Sequence, residues 1–212
     1  LHAAERDGGA VLRAVATDGH RLARVECPLP DGAAGMPGVI VPRKTVTELR
    51  KLIDETTDDI AVGLSETKIR FSFDNAVLTS KLIDGTFPDY QRVIPEGNDK
   101  KMEINAKVFA NAVDRVSAIS SEKSRAVKLN LTNDNLTLSA SSPDDGNATE
   151  EVEASYQGEE LEIGFNAAYL LDITRQIEGS NARLLLADAA SPTILSEVDD
   201  ASTLYVLMPM RV

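Results

Sequence analysis

A unit made of one strand, one helix and three further strands recurs three times in this chain, and this repeat restricts the possible folds more than any other feature. The copies begin with apolar stretches at residues 39–41, 102–104 and 161–163, so they are offset by 63 and 59 residues. In each copy, apolar residues at helical spacing follow the opening strand, and alternating patterns then predict more strands. The repeat predicts an α+β fold of β-α-β-β-β half-domains.

The spacing of apolar residues predicts one amphipathic helix in each copy, at about residues 43–54, 106–119 and 167–177. The residues expected to face the core are Val46, Leu49 and Ile53 in the first helix, Val108, Phe109, Ala112, Val113, Val116 and Ile119 in the second, and Leu170, Ile173 and Ile177 in the third. Strands are predicted at residues 10–17, 21–26, 60–64, 68–73, 76–82, 127–131, 135–140, 150–156, 183–188, 193–198 and 203–208. Turns are expected at Asp18-Gly19, Asp74-Asn75 and Thr132-Asn133-Asp134.

Two polar or proline-rich stretches divide the chain. Residues 28–38 carry three prolines and three glycines and therefore link two half-domains. Residues 96–100 are polar and follow Pro95, which is typical of a domain boundary. We therefore expect one domain over residues 1–95 and a second over residues 96–212.

The composition favours a cytoplasmic protein without a membrane span. Cys27 is the single cysteine and can form no internal disulfide, and no apolar run reaches the ~18 residues that a transmembrane helix needs. The chain begins at Leu1, already within a predicted strand, so we expect an upstream part to be missing.

Charge is distributed unevenly along the chain. The net charge is −12, and residues 129–174 contain ten acidic residues and neither Lys nor Arg. Basic residues gather instead in and around the first two predicted helices. This predicts one strongly acidic surface and weakly basic helix faces, although such charged faces are often merely solvated.

The residues offer little support for catalysis. The sequence has no glycine-rich phosphate loop and no His-Glu-x-x-His motif, and only His2 and His20 are available for histidine chemistry. The acidic doublets at residues 58–59, 144–145 and 199–200 leave a metal-dependent nuclease or polymerase subunit as an alternative, but exposed acidic turns are common. His20 is more simply a hairpin residue, whereas the methionine-rich tail at residues 208–210 suits core filling or an adaptable binding surface.

Five motifs in order along the chain carry a resemblance to a known family. They are Ala16-Thr17-Asp18-Gly19-His20-Arg21-Leu22-Ala23, Val41-Pro42-Arg43-Lys44, Asp84-Gly85 with Phe87-Pro88-Asp89-Tyr90, Gly164-Phe165-Asn166, and Tyr205-Val206-Leu207-Met208-Pro209-Met210-Arg211. Together they resemble the bacterial sliding clamps, the beta subunits of DNA polymerase III. The resemblance implies that residues 1–95 are most of a middle domain and that residues 96–212 are a complete third domain.

The resemblance also implies a function that involves no catalysis, cofactor or metal. Family members form a head-to-tail homodimeric ring with helices lining the hole and sheets outside, and they confer processivity on the DNA polymerase III holoenzyme in DNA replication. Duplex DNA passes through the ring without sequence readout, so weak phosphate contacts suffice. The residues expected to face DNA are Arg43, Lys44, Arg50, Lys51, Lys107, Arg115, Lys123, Arg125 and Arg175.

A hydrophobic peptide pocket between the middle and third domains is the second implied site. It would take short peptides from the polymerase III alpha subunit, the clamp loader and repair proteins. Its expected residues are Thr17, Gly19, His20, Arg21, Leu22, Pro88, Arg92, Val93, Asn166, Tyr169, Val206, Leu207, Met208, Pro209, Met210 and Arg211, and Pro192 narrows one polar part of it. An interaction scaffold with no DNA role is a third hypothesis.

Overall fold

The computed structural model describes residues 1–54, 56–57, 59–73, 76–120 and 125–211. Three features predicted from the sequence lie outside these residues, wholly or in part. They are the turn at Asp74-Asn75, the basic residue Lys123, and the first carboxylate of the Asp58-Asp59 doublet.

The described residues form three α-helices, one 3-10 helix and fifteen strands. The helices are α1 (Arg43–Ile53), α2 (Ala106–Ser117) and α3 (Ala167–Thr174), and the 3-10 helix is Tyr90–Val93. The strands are β1 (His2–Arg6), β2 (Gly9–Thr17), β3 (Arg21–Pro28), β4 (Ala61–Leu64), β5 (Lys68–Phe73), β6 (Ala76–Lys81), β7 (Lys100–Asn105), β8 (Ala126–Thr132), β9 (Asn135–Ser142), β10 (Gly146–Glu153), β11 (Ser155–Tyr156), β12 (Leu161–Asn166), β13 (Asn181–Leu186), β14 (Thr193–Glu197) and β15 (Thr203–Leu207). No described helix has the length and apolarity needed to cross a bilayer.

The chain divides into two compact units, and it passes from one to the other within β2 and β3. Unit 1 comprises residues 1–14 and 27–88, whereas unit 2 comprises residues 15–26 and 89–212. The predicted hairpin turn is confirmed, because β2 ends at Thr17 and its hydrogen-bonded neighbour β3 starts at Arg21. The tip of this hairpin therefore belongs to unit 2.

Unit 1 packs α1 against the antiparallel sheet β4-β5-β6. The alternation along β5 buries Ile69, Phe71 and Phe73, and Leu49 and Ile53 of α1 pack against them. Helix α1 begins directly after Pro42, whose fixed φ suits a helix start.

Two predictions for unit 1 were wrong. Residues 39–41 form no strand, because their backbone groups bond to two different segments instead of pairing along one neighbour. Val39 exchanges two hydrogen bonds with Leu1, and Ile40 accepts one from Ile83. Val46 is 52% exposed, whereas Thr45 is buried and its hydroxyl lies 2.6 Å from that of Ser80. The inward stripe of α1 follows i, i+4 spacing from Thr45, which turns Val46 about 100° away.

Unit 2 contains two copies of the repeated unit. One runs β7-α2-β8-β9-β10 and the other β12-α3-β13-β14-β15, so the predicted strand, helix and three strands are confirmed in both. Every strand pair is antiparallel, in the orders β3-β15-β14-β13-β7-β11 and β10-β9-β8-β12. Helices α2 and α3 lie side by side, and Phe109, Phe165 and Leu170 are buried in the core.

Smaller corrections in unit 2 have local causes. Val108 is 46% exposed because it lies on the outer side of the stripe formed by Phe109, Ala112 and Val116. The predicted strand at residues 150–156 is two strands, because the chain leaves β9 and crosses to β7 at Ala154. Helices α2 and α3 end two and three residues earlier than predicted.

Candidate functional site

The hairpin between β2 and β3 is held by its own side chains. The Thr17 hydroxyl donates to the Arg21 carbonyl over 2.8 Å, and Asp18 Oδ1 accepts from the backbone N–H groups of His20 and Arg21, each at 3.0 Å. Gly19 has a φ of +86°, which favours glycine at that position. The turn therefore presents His20 and Arg21 in a fixed order at its exit.

Arg21 joins this hairpin to α3. Its Nε donates to Asp18 Oδ2 over 3.0 Å, and its Nη1 donates to Asp172 Oδ2 over 2.7 Å. The guanidinium carbon lies 4.3 Å from the centroid of the Tyr169 ring, within the range of a cation–π interaction. The His20 ring lies 6.3 Å from the same ring, centroid to centroid.

The pKa values of Asp18 and Arg21 are shifted in the directions that favour their charged forms. Burial alone raises the pKa of Asp18, but the hydrogen bonds from His20 and Arg21 outweigh it and hold this pKa below its usual value. Burial alone lowers the pKa of Arg21, whereas its bonds to Asp172 and Asp18 raise it above the usual value. Both groups are therefore charged at neutral pH.

The C-terminal tail is docked beside the hairpin. The Met208 N–H donates to the His20 carbonyl and the Met210 N–H to the Gly164 carbonyl, each over 2.9 Å. Met208 is 41% exposed, and Pro209 and Met210 are half-buried. We call Asp18, His20, Arg21, Tyr169, Asp172 and Met208 the hairpin cluster.

The other predicted pocket residues take different positions. Leu22 of β3 and Val206 and Leu207 of β15 are buried, and Arg211 is exposed. The side chain of Asn166 caps α3, accepting from Ala168 N at 2.9 Å and Tyr169 N at 3.4 Å.

The segment before β7 contains three further predicted pocket residues. Arg92 pairs with Asp89 at 2.9 Å, Val93 is exposed in the 3-10 helix, and Pro88 is an exposed residue of unit 1. Among the described residues, no hydrogen bond or ion pair joins Arg92 or Val93 to the cluster. The cluster thus brings together the hairpin, one face of α3 and the tail.

Sequence reasoning missed both carboxylates of the hairpin cluster. Asp18 stands within a motif, and an aspartate two residues before a backbone donor is a recognisable turn signal. Asp172 lies 151 residues from Arg21, and no local pattern links the two.

The basic residues expected on the helix faces are exposed wherever the structure describes them. Those on unit 1 are Arg43, Lys44, Arg50 and Lys51, and those on unit 2 are Lys107, Arg115, Arg125 and Arg175. Some of their charge is offset, because Lys51 pairs with Glu48 at 3.1 Å and Arg115 Nε donates to Glu150 over 3.0 Å. The hydrogen bond from Arg115 holds the pKa of Glu150 below its usual value.

A cleft of about 440 Å³ lies between the end of α2 and the start of α3. Its charged lining residues are Asp114, Arg125, Asp172 and Arg175. The two signs balance, so this cleft does not concentrate positive charge.

Carboxylates of two of the three acidic doublets accept hydrogen bonds from neighbouring residues. Asp145 Oδ2 accepts from the Ser142 hydroxyl at 3.2 Å, and Asp200 Oδ1 accepts from Ser202 N at 2.7 Å. Within the described part of the chain, no three His, Cys, Asp or Glu side chains converge as metal ligands would.

Sequence comparison gives consecutive matches over almost the whole chain. Residues 4–89 match the family model for the DNA polymerase III beta subunit, central domain, and residues 91–211 match the model for its C-terminal domain. The beta sliding clamp of Caulobacter vibrioides is 52% identical over 212 residues, covering 100% of this chain and 57% of that protein. The beta sliding clamp of Escherichia coli is 40% identical over 205 residues, covering 96% and 55%. The family matches of this chain do not support the alternative of a metal-dependent nuclease or polymerase subunit.

Solved structures agree in fold. The DnaN sliding clamp of Bartonella birtlesii bound to griselimycin matches with a TM-score of 0.95 at 52% identity, covering 100% of this chain and 57% of that one. The DnaN sliding clamp of Pseudomonas aeruginosa, also bound to griselimycin, matches with a TM-score of 0.91 at 40% identity, covering 96% and 55%. The chain thus spans a little more than half the length of these relatives.

Proposed function

Because the chain belongs to the DNA polymerase III beta subunit family, we propose that this protein is a sliding clamp that makes the replicative polymerase processive. It acts in the cytoplasm as a ring-shaped homodimer around duplex DNA, and it has no catalytic activity of its own. The observation that carries this proposal is the pair of family matches, which follow each other in the same order as the family's central and C-terminal domains. Residues 1–95 and 96–212 are the corresponding proposed domains.

DNA is held by enclosure rather than by tight contacts in this proposal. The exposed basic residues of α1 and α2, together with Arg125 and Arg175, face the duplex, and the ion pairs of Lys51 and Arg115 reduce their free charge. Weak, water-separated phosphate contacts permit sliding, whereas strong ones would hold the protein at one place.

Topological retention tests this function. The protein in its full natural length should stay on nicked circular DNA after loading and should be released when the circle is linearised. Equal retention on circular and linear DNA would contradict a clamp and would favour ordinary binding, whereas no retention on either would favour a scaffold without a DNA role.

We place the peptide-binding site at the hairpin cluster and the tail behind it. The exposed Met208 and the half-buried Pro209 and Met210 supply adaptable apolar surface, and the rim carries His20, Arg21 and Tyr169. Leu22, Val206 and Leu207 form a rigid support below, since all three are buried. Peptides of the polymerase III alpha subunit, the clamp loader and repair proteins are the proposed ligands, and griselimycin, which two solved relatives hold, is the proposed small probe.

Calorimetric titration with griselimycin tests the site. Deleting residues 208–212 should abolish binding and leave the far-ultraviolet circular dichroism unchanged, because the tail follows the last strand. Met208→Ala should weaken binding by about tenfold, as for a contact worth ~1–2 kcal/mol. The control is Met36→Ala, a half-buried methionine of the linker at residues 28–38, which should bind like the wild type. An unchanged affinity after the deletion would place the site elsewhere.

A further inference from the structure

We propose that Asp172 is a positioning residue of the peptide-binding site: its carboxylate holds the Arg21 guanidinium over the Tyr169 ring and thereby fixes the hairpin to which the backbone of Met208 is hydrogen-bonded. This inference rests on the proposed function of the hairpin cluster. Asp172 itself acts through Arg21.

The contacts of Arg21 divide into one local and two distant ones. Asp18 lies in the same turn, so its 3.0 Å bond orders Arg21 only within the hairpin. Asp172 and Tyr169 lie on α3, three residues apart and therefore on the same helix face. The 2.7 Å bond to Asp172 and the 4.3 Å ring contact thus fix the guanidinium relative to α3.

Removing the Asp172 charge should loosen the hold of α3 on Arg21, because only the contact with the Tyr169 ring then remains at full strength. Charge-assisted bonds of a planar guanidinium are directional, and an arginine side chain regains considerable rotamer entropy when such a bond is lost. The position of the hairpin matters to the tail, because the carbonyl of His20 accepts the Met208 N–H at 2.9 Å. A carboxylate on α3 is therefore connected, through Arg21 and His20, to the exposed methionine of the site.

Exposure sets the size of the effect. The side chains of Arg21 and Asp172 are 30% and 52% exposed, so their ion pair adds little to folding stability. We expect Asp172→Asn to weaken griselimycin binding about three- to fivefold, within the range of such pairs, and to leave the unfolding midpoint unchanged.

A double-mutant cycle separates positioning from a general structural effect. Griselimycin is titrated into the wild type, Asp172→Asn, Arg21→Met and the double variant. If Asp172 acts through Arg21, the double variant should bind as weakly as Arg21→Met alone. Asp172→Glu should restore most of the affinity.

The matched control is Glu162→Gln. This change removes another carboxylate of similar exposure, 55%, from a long-range ion pair with Lys128 at 2.9 Å on β12 and β8, and binding should stay unchanged. Wild-type affinity in Asp172→Asn, or losses that add in the double variant, would overturn the proposal.

A ligand-free measurement decides the positioning even if griselimycin does not bind. In nitrogen–proton correlation spectra, the Arg21 Nε–Hε signal should be sharp and shifted by the Tyr169 ring. Asp172→Asn and Tyr169→Leu should each move it towards the position of a free arginine. A wild type that binds no probe would reject the proposed site, whereas an Arg21 signal unaltered by Asp172→Asn would reject the positioning role.

Discussion

Single side chains decide where the helices of unit 2 begin. Asn105 Oδ1 accepts from Val108 N at 3.0 Å, and Asn166 does the same for the first turn of α3. A helix leaves its first N–H groups without intrahelical partners, and an asparagine at this position satisfies one or two of them. In α1, Pro42 occupies the equivalent position and provides no side-chain cap.

Asn105→Ala should therefore lower the free energy of unfolding by about 1 kcal/mol. The measurement is urea denaturation followed by circular dichroism. Asn111→Ala is the control, because Asn111 is exposed within the same helix and alanine favours helices. Equal effects of the two substitutions would show that the cap contributes nothing.

Asp18 should make the stability depend on pH. Because its folded pKa is depressed, its contribution is present above the unfolded pKa and is lost as the pH falls through the folded pKa. At pH ~7, the free energy of unfolding of the wild type should exceed that of Asp18→Asn by less than about 1 kcal/mol, since the Asp18 side chain is partly exposed. Urea midpoints of both proteins, measured from neutral to acid pH, should converge below the usual aspartate range; parallel curves would contradict the shift.

The loop between β11 and β12 is constrained because the backbone of Gly158 lies close to the Tyr156 side chain. A Cβ added at Gly158 would lie 2.8 Å from Tyr156 Oη and 2.9 Å from its Cζ. The Tyr156 ring is 1% exposed, and its hydroxyl donates to the Glu159 carbonyl over 2.6 Å, so it cannot move aside easily.

Gly158→Ala should cost about 1–3 kcal/mol, because the added methyl group would be forced against the buried Tyr156 ring. Gly97→Ala is the matched control, because its Cβ would meet nothing within 4 Å. That control should be neutral or slightly stabilising. Differential scanning calorimetry distinguishes the two, and an unchanged melting temperature for Gly158→Ala would show that Tyr156 gives way.

Most elements could be predicted because their information is local. Alternation along β5 and the helical spacing in α2 are read from neighbouring residues. The inward face of α1 was misjudged, since Thr45 and Val46 both fit an apolar stripe until a partner such as Ser80 decides between them. The break at Ala154 and the pair of Arg21 with Asp172 depend on tertiary contacts, which periodicity does not encode.

Across the whole molecule, the two units differ in the size of their cores. In the described part of unit 1, the core cluster has three buried residues, Ile69, Phe71 and Phe73, whereas the core of unit 2 involves both helices and both of its sheets. Opening free energies vary within a protein according to such local packing. We therefore expect amides of β5 to exchange with deuterium faster than amides of β8.

Phe71→Ala should destabilise unit 1 by about 3–5 kcal/mol and leave exchange in β8 and β9 unchanged. Hydrogen exchange followed by mass spectrometry reports both units in one experiment. Val77→Ala, on the neighbouring strand and 57% exposed, is the control and should alter neither. Equal acceleration in both units after Phe71→Ala would indicate a single cooperative transition.

The position of the hairpin has a practical consequence for dissecting this protein. The C-terminal family match starts at residue 91, yet β15 is paired along its length with β3, from Thr203 opposite Val25 to Leu207 opposite Arg21. A polypeptide that starts at residue 91 would lack β3, so β15 would become an edge strand with unpaired N–H and C=O groups. Such edge strands pair with strands of neighbouring molecules. The shortened protein should therefore aggregate or form polymers unless residues 15–26 are supplied as a separate peptide.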